Sequence, residues 1–136
     1  MNSAKKYALV TGASSGIGFQ YARVMAQRGY NLVIVSNQAD AIVEKAEQLR
    51  QEFSVDVVPL MRDLGTPEAA RELYETCQAQ NLEVEVLINN AGVYHSCDFM
   101  EEPERYNTLI LNLHVNTPAM LIYYFGKDME ARKRGY

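Results

Sequence analysis

The chain has 136 residues, which suffice for one domain that buries about two-thirds of the surface of its unfolded chain. Its 13 basic and 17 acidic residues give a net charge of −4, and the basic residues are scattered except at residues 132–134, so nucleic acid is not expected as a partner. Two cysteines without a secretory signal favour a reducing, cytoplasmic setting, and we expect no association with a membrane because no apolar stretch is long enough to cross one.

A glycine-rich turn at residues 11–18, Thr-Gly-Ala-Ser-Ser-Gly-Ile-Gly, follows an apolar run at residues 7–10 and precedes a helical pattern. The run predicts a strand, so the turn lies between a strand and a helix N-terminus. The first N–H groups of a helix have no internal partner and carry partial positive charge, which suits a diphosphate. The sequence therefore predicts a phosphate-binding turn.

The three glycines of this turn have separate physical tasks. Gly12 permits a tight turn out of the strand, Gly16 removes a side chain where a ligand approaches, and Gly18 lets the helix pack on the sheet. The hydroxyl groups of Ser14 and Ser15 add hydrogen-bond donors. The glycine spacing alone is also compatible with an ordinary glycine-rich turn.

The helix after the turn is predicted to bury an apolar stripe formed by Ile17, Tyr21, Val24 and Met25. Gly29 is expected to end this helix, because glycine adopts the backbone conformation of a helix C-terminus without strain.

Residues 31–36 form a near-continuous apolar run, which is typical of a strand buried on both faces of a parallel sheet. At the end of such a strand, a carboxylate would hold the ribose of NAD, whereas an arginine would bind the additional phosphate of NADP. This chain has Ser36 and Asn37 there. Because no carboxylate repels that phosphate, we expect a slight preference for NADP.

The next predicted elements are a helix at residues 39–53, a strand at 55–61 and a further helix. Pro59 indicates an edge position for the strand, because proline cannot donate to a hydrogen-bond ladder. Thr66 followed by Pro67 predicts that the further helix begins there, with the threonine as N-cap.

A fourth strand at residues 84–88 is followed by Asn-Asn-Ala-Gly at 89–92 and then by a loop. His95 and Cys97 in this loop are two potential metal ligands, which are too few to predict a metal site. A long helix at residues 103–134 is expected to bend near His114, because Pro118 cannot donate to the carbonyl of that residue.

The chain resembles the short-chain dehydrogenase/reductases in two segments. Residues 11–18 are similar to the cofactor motif of that family, and residues 89–92 are similar to a second motif at the end of a later strand. The resemblance implies an α/β fold of the Rossmann type. Its doubly wound parallel sheet, in the order 3-2-1-4, would be truncated after about four strands and the long helix that follows. Residues 1–136 would then form a single, incomplete dinucleotide-binding domain whose fourth strand has an open edge.

The resemblance also implies which residues bind the cofactor. Asp63 would accept a hydrogen bond from the adenine amino group, with the backbone of Leu64 beside it, although Asp63 could instead only shape a turn. Ala91 and Gly92 would leave room for adenine and ribose. The residues predicted to bind NAD(P) are Gly12, Ser14, Ser15, Gly16, Ile17, Gly18, Ser36, Asn37, Asp63, Leu64, Asn90, Ala91 and Gly92.

The activity that the resemblance implies is hydride transfer between NAD(P) and a small carbonyl or alcohol substrate. The catalytic Ser and Tyr-x-x-x-Lys of the family would lie beyond Tyr136, so no catalytic residue is assigned within the chain, and the chain alone is expected to be inactive. Tyr123 and Lys127 repeat the catalytic spacing, but they lie on a helix too early in the fold for that role.

The sequence departs from the family pattern at one position in the long helix. His114 stands where the family has a catalytic asparagine, whose main-chain carbonyl holds a water of the proton relay, and Asn112 and Asn116 flank it. A histidine that merely packs near the sheet is the alternative interpretation.

A second function, from another class, is a non-catalytic nucleotide-binding or interaction module whose open edge is completed by another chain. Exposed apolar edges favour association, so we expect a homo-oligomer.

Overall fold

The computed structural model describes residues 5–136, in which strands and helices alternate. The elements are β1 (Lys6–Thr11), α1 (Gly16–Gln27), β2 (Asn31–Ser36), α2 (Ala39–Phe53), β3 (Val57–Met61), α3 (Ala69–Ala79), β4 (Glu83–Ile88), α4 (Glu104–Leu111) and α5 (Thr117–Arg132). A 3₁₀ turn covers Phe99–Glu101, and a π-helical segment covers Asn112–Asn116 between α4 and α5. Within residues 5–136, no helix has the length and apolar character needed to cross a membrane.

The four strands form one parallel sheet in the order β3-β2-β1-β4, which confirms the predicted topology. β1 lies at the centre because it pairs with both β2 and β4. β3 is an edge strand in which Pro59 lies opposite Ile34, as expected of a residue that has no N–H to donate.

Two apolar cores cover the two faces of the sheet. On one face, Phe19 of α1 and Leu49 of α2 pack against the strands, and on the other face, Leu73 of α3 and Phe125 of α5 do so. Side chains alternate between the faces along each strand. Since both faces are covered, β1 and β2 are apolar at nearly every position, as in other sheets with helices on both sides.

The predicted buried stripe of α1 is wrong except at Met25. Ile17, Tyr21 and Val24 are 71%, 46% and 44% exposed. The buried face is instead formed by Gly18, Phe19, Ala22, Met25 and Ala26. The contact of Gly18 with the glycine turn sets the rotation of the helix about its axis, and the residues one turn and two turns after Gly18 then face the sheet.

The predicted start of α3 at Thr66 is also wrong. Residues 66–68 form a turn in which the Ala69 N–H donates to the carbonyl of Thr66 at 3.3 Å, and the helix begins at Ala69 after Glu68. No side chain caps this helix end. The helix therefore starts two residues later than the Thr-Pro signal predicts.

The outer edge of β4 is not fully open in the described residues. The Tyr136 N–H donates to the carbonyl of Glu85 at 2.8 Å, and the Leu87 N–H donates to the carbonyl of Tyr136 at 3.0 Å. These two bonds are the pattern of a parallel strand that begins to pair with β4. The expectation of an unpaired fourth strand is thus corrected at Glu85–Leu87.

A buried carboxylate lies in the middle of β4. The pairing of β1 with β4 shifts between Tyr7 and Ala8, so Glu85 is an extra residue in the ladder and its side chain is 4% exposed. Lys6 Nζ lies 3.2 Å from one carboxylate oxygen, Arg134 Nε donates to the other at 3.1 Å, and the Tyr30 hydroxyl donates at 3.4 Å. Burial raises the pKa of Glu85, but Lys6 and Arg134 outweigh burial and hold the pKa below its usual value.

We expect Glu85→Gln to reduce the free energy of unfolding at pH 7 by about 1.5 kcal/mol, near the lower end of what hydrogen bonds to a charged group contribute. Because the folded-state pKa is lowered, the stabilisation is complete above the unfolded-state pKa of about 4.3 and is lost as the pH falls through the folded-state value. Urea denaturation of both proteins across this pH range measures the difference. A difference that does not shrink in acid would contradict the assignment.

Candidate functional site

The carboxyl ends of the four strands meet the glycine turn around one cavity of about 660 Å³. Ligands of doubly wound sheets bind at this end of the strands. The lining consists of Gly12, Ser14, Ser15, Ile17, Gly18, Ser36, Asn37, Gln38, Ala41, Arg62, Asp63, Leu64, Asn90, Ala91, Gly92, Val93, Leu109 and Leu113. Every residue predicted to bind the cofactor, except Gly16, is therefore brought together in one place. Their role in binding stays a prediction.

The glycine turn packs tightly against the end of β4. Gly12 has a φ of +67°, and a Cβ on it would lie 2.8 Å from the Cα of Ala91. A Cβ on Gly18 would lie 2.1 Å from the Gly12 oxygen. Both positions require glycine, because real Cβ atoms do not approach other atoms so closely.

The N-terminus of α1 faces the cavity without a negative neighbour. Gly16 begins the helix with a φ of +56°, and apart from its chain neighbours and the backbone of its own helix no atom lies within 4 Å of the position a Cβ would take. The first turn of α1 contains no acidic residue, and the Ser15 side chain caps none of its N–H groups. The partial positive charge of the helix end is thus available to an anion.

Thr11 and Asn90 tie the ends of β1 and β4 together. The Thr11 hydroxyl oxygen accepts from the N–H groups of Asn90 and Ala91, both at 3.0 Å. In return, Asn90 Nδ2 donates to the carbonyl oxygens of Thr11 at 3.1 Å and Gly12 at 3.2 Å. The two motifs that are distant in sequence therefore hold one another in place.

Hydroxyl groups link the turn to the end of β2. Ser36 Oγ donates to Ser14 Oγ at 2.9 Å, and the backbone N–H of Gln38 donates to Ser36 Oγ at 3.0 Å. Ser36 is 5% exposed, whereas Asn37 is exposed to solvent beside the cavity. A substitution at Asn37 is thus expected to change the charge of the cavity without disturbing the core.

Asp63 both lines the cavity and shapes a turn. Its Oδ1 accepts a hydrogen bond from the Gly65 N–H at 2.9 Å. Leu64 is 5% exposed, and its carbonyl accepts from the Thr117 hydroxyl at 2.7 Å. The hydrogen bond from Gly65 supports the alternative role of Asp63, which is to shape the turn. The contact of Asp63 with adenine stays a prediction.

Arg62 is a lining residue that the sequence reasoning missed. Its guanidinium donates to the carbonyl of Met61 and to the Thr76 hydroxyl, both at 3.0 Å. Among the described residues that line the cavity, it is the only lysine or arginine, and Asp63 is the only carboxylate. The sequence could have indicated this position, because Arg62 directly precedes Asp63 at the carboxyl end of β3.

A family model described as short chain dehydrogenase matches residues 6–136 of the sequence. The chain belongs to the short chain dehydrogenase family. The resemblance inferred from the motifs at residues 11–18 and 89–92 is thereby confirmed, together with the Rossmann-type fold.

Curated relatives and solved structures agree with this membership of the short chain dehydrogenase family. A very-long-chain 3-oxoacyl-CoA reductase of Kluyveromyces lactis is 38% identical over 122 residues, which are 85% of this chain and 34% of that protein. L-sorbose reductase from Gluconobacter frateurii, solved with NADPH and L-sorbose, has a TM-score of 0.86 at 31% identity, over 97% of this chain and 50% of that one.

A third member of the family gives the same result. A short-chain dehydrogenase from Sphingobium yanoikuyae, solved in complex with NADPH, has a TM-score of 0.87 at 29% identity, over 96% of this chain and 50% of that one. The chain thus spans about a third of the curated relative and about half of these two solved structures.

At the position of the predicted bend, the helix changes to the π-helical segment Asn112–Asn116, and the bend of the helix axis stays a prediction. Pro118 has no N–H for the carbonyl of His114, so the helical bonding changes there. His114 Nε2 lies 3.0 Å from the N and 2.9 Å from the O of Val93, and it accepts from the first or donates to the second according to its tautomer. The imidazole thus joins this segment to the loop after the second family motif.

The Tyr123–Lys127 pair, which repeats the family's catalytic spacing, lies on α5. Lys127 Nζ donates to the Tyr123 hydroxyl at 2.9 Å, and this bond lowers the pKa of Tyr123. Both side chains are exposed, and neither lines the cavity. The chemistry of the pair therefore resembles the family's catalytic pair, but its place in the fold does not.

Proposed function

We propose that this chain is the NAD(P)-binding portion of a short-chain oxidoreductase, which transfers a hydride to or from a carbonyl or alcohol substrate. The proposal depends above all on one observation: the uncapped N-terminus of α1 and the glycine turn face the same cavity as the carboxyl ends of all four strands. A dinucleotide needs this combination, since its diphosphate is anionic and its adenosine requires a surface beside small residues.

Each part of the cofactor has a suitable region of the cavity. The diphosphate would lie at the free N–H groups of α1, where Ser14 and Ser15 add hydroxyl donors and Gly16 leaves space. The adenine would lie between Asp63 and Ala91, which both line the cavity. All of these groups belong to the predicted binding set.

NADP is the preferred cofactor in this proposal. The end of β2 offers the neutral Ser36 and Asn37, and Arg62 supplies a cation in the same cavity. Since no carboxylate stands at the end of β2, nothing there repels a ribose phosphate. The L-sorbose reductase from G. frateurii and the short-chain dehydrogenase from S. yanoikuyae were solved with NADPH, which supports the same choice.

Calorimetric titration of the purified chain with NADPH and NADH tests both the site and the preference. We expect binding of one dinucleotide, with NADPH favoured. Asn37→Arg should raise the affinity for NADPH about tenfold or more, because one hydrogen bond to a charged group contributes about 1.5–3 kcal/mol. Asn37→Asp should lower the affinity for NADPH, because its carboxylate faces the ribose phosphate.

The affinity for NADH is the internal control for this pair of variants. Asn37→Arg should leave NADH binding nearly unchanged, since NADH lacks the additional phosphate. The proposal fails if the chain binds neither dinucleotide. The NADP preference fails if Asn37→Arg and Asn37→Asp change NADPH and NADH binding in parallel.

The substrate stays a proposal at the level of its chemical class. The relative from K. lactis is named for a 3-oxoacyl thioester and the structure from G. frateurii for a sugar, and a carbonyl or alcohol carbon is common to both. We assign no catalytic residue within residues 1–136, so the chain should bind NADPH without oxidising it. Loss of NADPH absorbance with a 3-oxoacyl thioester would contradict this assignment.

An interaction module is the second candidate, and three exposed apolar side chains between the end of α4 and α5 support it. Leu111 at the end of α4, Val115 in the π-helical segment and Ile122 in α5 are 63%, 61% and 60% exposed. A partner surface that buried such side chains would remove their apolar area from water. A homo-oligomer therefore stays our expectation, and the molar mass from light scattering measures it.

A further inference from the structure

The loop between β4 and α4 brings three different metal-binding side chains together. One ligand atom each of His95, Cys97 and Glu102 lies within 4.8 Å of the other two. His95 Nδ1 is 3.0 Å and 3.1 Å from the two carboxylate oxygens of Glu102, and the Cys97 thiol donates to one of them. The sequence prediction considered only His95 and Cys97, because nothing local relates Glu102 to them.

A chain reversal explains how Glu102 reaches the other two residues. The 3₁₀ turn Phe99–Glu101 is closed by the Glu101 N–H, which donates to the carbonyl of Asp98 at 2.9 Å. The Glu102 N–H then donates to the carbonyl of Phe99 at 3.2 Å. The backbone of the loop thus returns the Glu102 side chain to Cys97 by hydrogen bonds that do not depend on a metal.

The three side chains are positioned at different depths. The Glu102 side chain is 9% exposed, whereas that of His95 is 52% exposed. The ring of Tyr106, on α4, packs edge-on against the imidazole with 5.1 Å between ring centroids. The carboxylate is therefore at the base of the cluster, and the imidazole, held by Tyr106, is at its rim.

The cluster is separate from the proposed dinucleotide site. None of its three residues lines the cofactor cavity, and no role in hydride transfer is assigned to them. The thiol hydrogen bond holds the pKa of Glu102 below its usual value, and Glu102 raises the pKa of the Cys97 thiol.

We propose that His95, Cys97 and Glu102 form a site for Zn²⁺. Imidazole nitrogen, thiolate sulfur and carboxylate oxygen are the three donor types that zinc takes in proteins. The S–H bond of Cys97 breaks as the sulfur–zinc bond forms, and the proton leaves to solvent. Water occupies the fourth position, since Cys97 and His95 are exposed. A sulfur and a nitrogen donor disfavour Mg²⁺ and Ca²⁺, which prefer oxygen ligands.

Zinc at this site would connect the two ends of the loop. His95 and Cys97 follow the second family motif closely, whereas Glu102 stands just before α4. Val93, at the start of the same loop, lines the cofactor cavity. Bound zinc would therefore hold the segment between the cavity and α4 in one conformation.

Titration of the reduced protein with Zn²⁺ by calorimetry, and with Co²⁺ by absorption spectroscopy, tests the proposal. We expect one ion per chain and a thiolate-to-cobalt charge-transfer band in the near ultraviolet. Cys97→Ser should remove this band, and both Cys97→Ser and His95→Ala should lower the zinc affinity by more than the roughly 10- to 100-fold that loss of an outer-sphere partner costs.

Glu101→Gln is the matched control, because Glu101 is a neighbouring exposed carboxylate outside the cluster. It should leave the zinc affinity and the cobalt band unchanged. Cys77 remains in every variant, and it is fully buried, with a thiol pKa raised by burial to about 12, so it cannot supply the band.

Three results would overturn the zinc site: no binding of Zn²⁺, binding of Co²⁺ without the charge-transfer band, or an affinity that Cys97→Ser and His95→Ala leave unchanged. The cluster would then be a set of hydrogen bonds that closes the loop. Far-ultraviolet circular dichroism of the same samples shows whether the variants remain folded. Because the wild-type titrations with metal and dinucleotide are separate, failure of one proposal does not count against the other.

Discussion

Replacing Gly18 with alanine is expected to lower the free energy of unfolding by about 3 kcal/mol, the upper end of the usual cost of overpacking. The added Cβ would lie 2.1 Å from the Gly12 oxygen and 2.4 Å from Asn90 Nδ2. Neither atom can move freely, because the first belongs to the backbone of the turn and the second is hydrogen-bonded to that turn. Urea denaturation measures the change, and NADPH affinity should fall with it.

Gly126→Ala is the matched control for this substitution. Gly126 is also a helical glycine, but no atom outside its own helix lies within 4 Å of the position of its Cβ. Alanine there should stabilise the protein by about 0.4–1 kcal/mol, because it reduces the conformational freedom of the unfolded chain. The two substitutions thus have opposite signs. If Gly18→Ala were as stable as the unsubstituted protein, α1 would not pack on the turn as described.

The elements that were predicted well have strong local patterns. β2 and α2 have the bounds read from the sequence, since a continuous apolar run and a 3.6-residue period each allow one interpretation. The strand order came from the resemblance and is confirmed. The buried face of α1 could not be predicted in this way, because a tertiary contact of Gly18 decides it and the apolar residues Ile17 and Tyr21 suggested another face.

The side chains that the sequence reasoning missed are placed by contacts between distant segments. Glu85 is buried because a shift in the pairing of β1 and β4 inserts it into the ladder, and its partner Arg134 is 49 residues away. Arg62 lines the same cavity as the glycine turn because the sheet brings the carboxyl ends of β3 and β1 to one edge. Periodicity reports which residues are apolar, but it does not report which distant backbone a charged residue will meet.

Asn90→Ala should be the second most damaging substitution in the site. It removes the Nδ2 group that donates to the carbonyl oxygens of Thr11 at 3.1 Å and Gly12 at 3.2 Å. With about 1 kcal/mol for each hydrogen bond, the free energy of unfolding should fall by about 2 kcal/mol. The substitution should also make the binding conformation of the glycine turn less stable. Each 1.4 kcal/mol of this loss should lower the NADPH affinity about tenfold. Urea denaturation and calorimetry measure the two effects.

Asn89→Ala tests whether this effect belongs to the position rather than to asparagine as such. Asn89 is exposed and makes one longer hydrogen bond, from Nδ2 to the carbonyl of Pro118 at 3.4 Å. Its substitution should change stability by less than about 0.5 kcal/mol, as for most surface positions, and should leave NADPH binding intact. Equal losses in the two variants would mean that Asn90 does not hold the turn. If only Asn90→Ala lost stability and its NADPH affinity did not fall, Asn90 would stabilise the fold without contributing to dinucleotide binding.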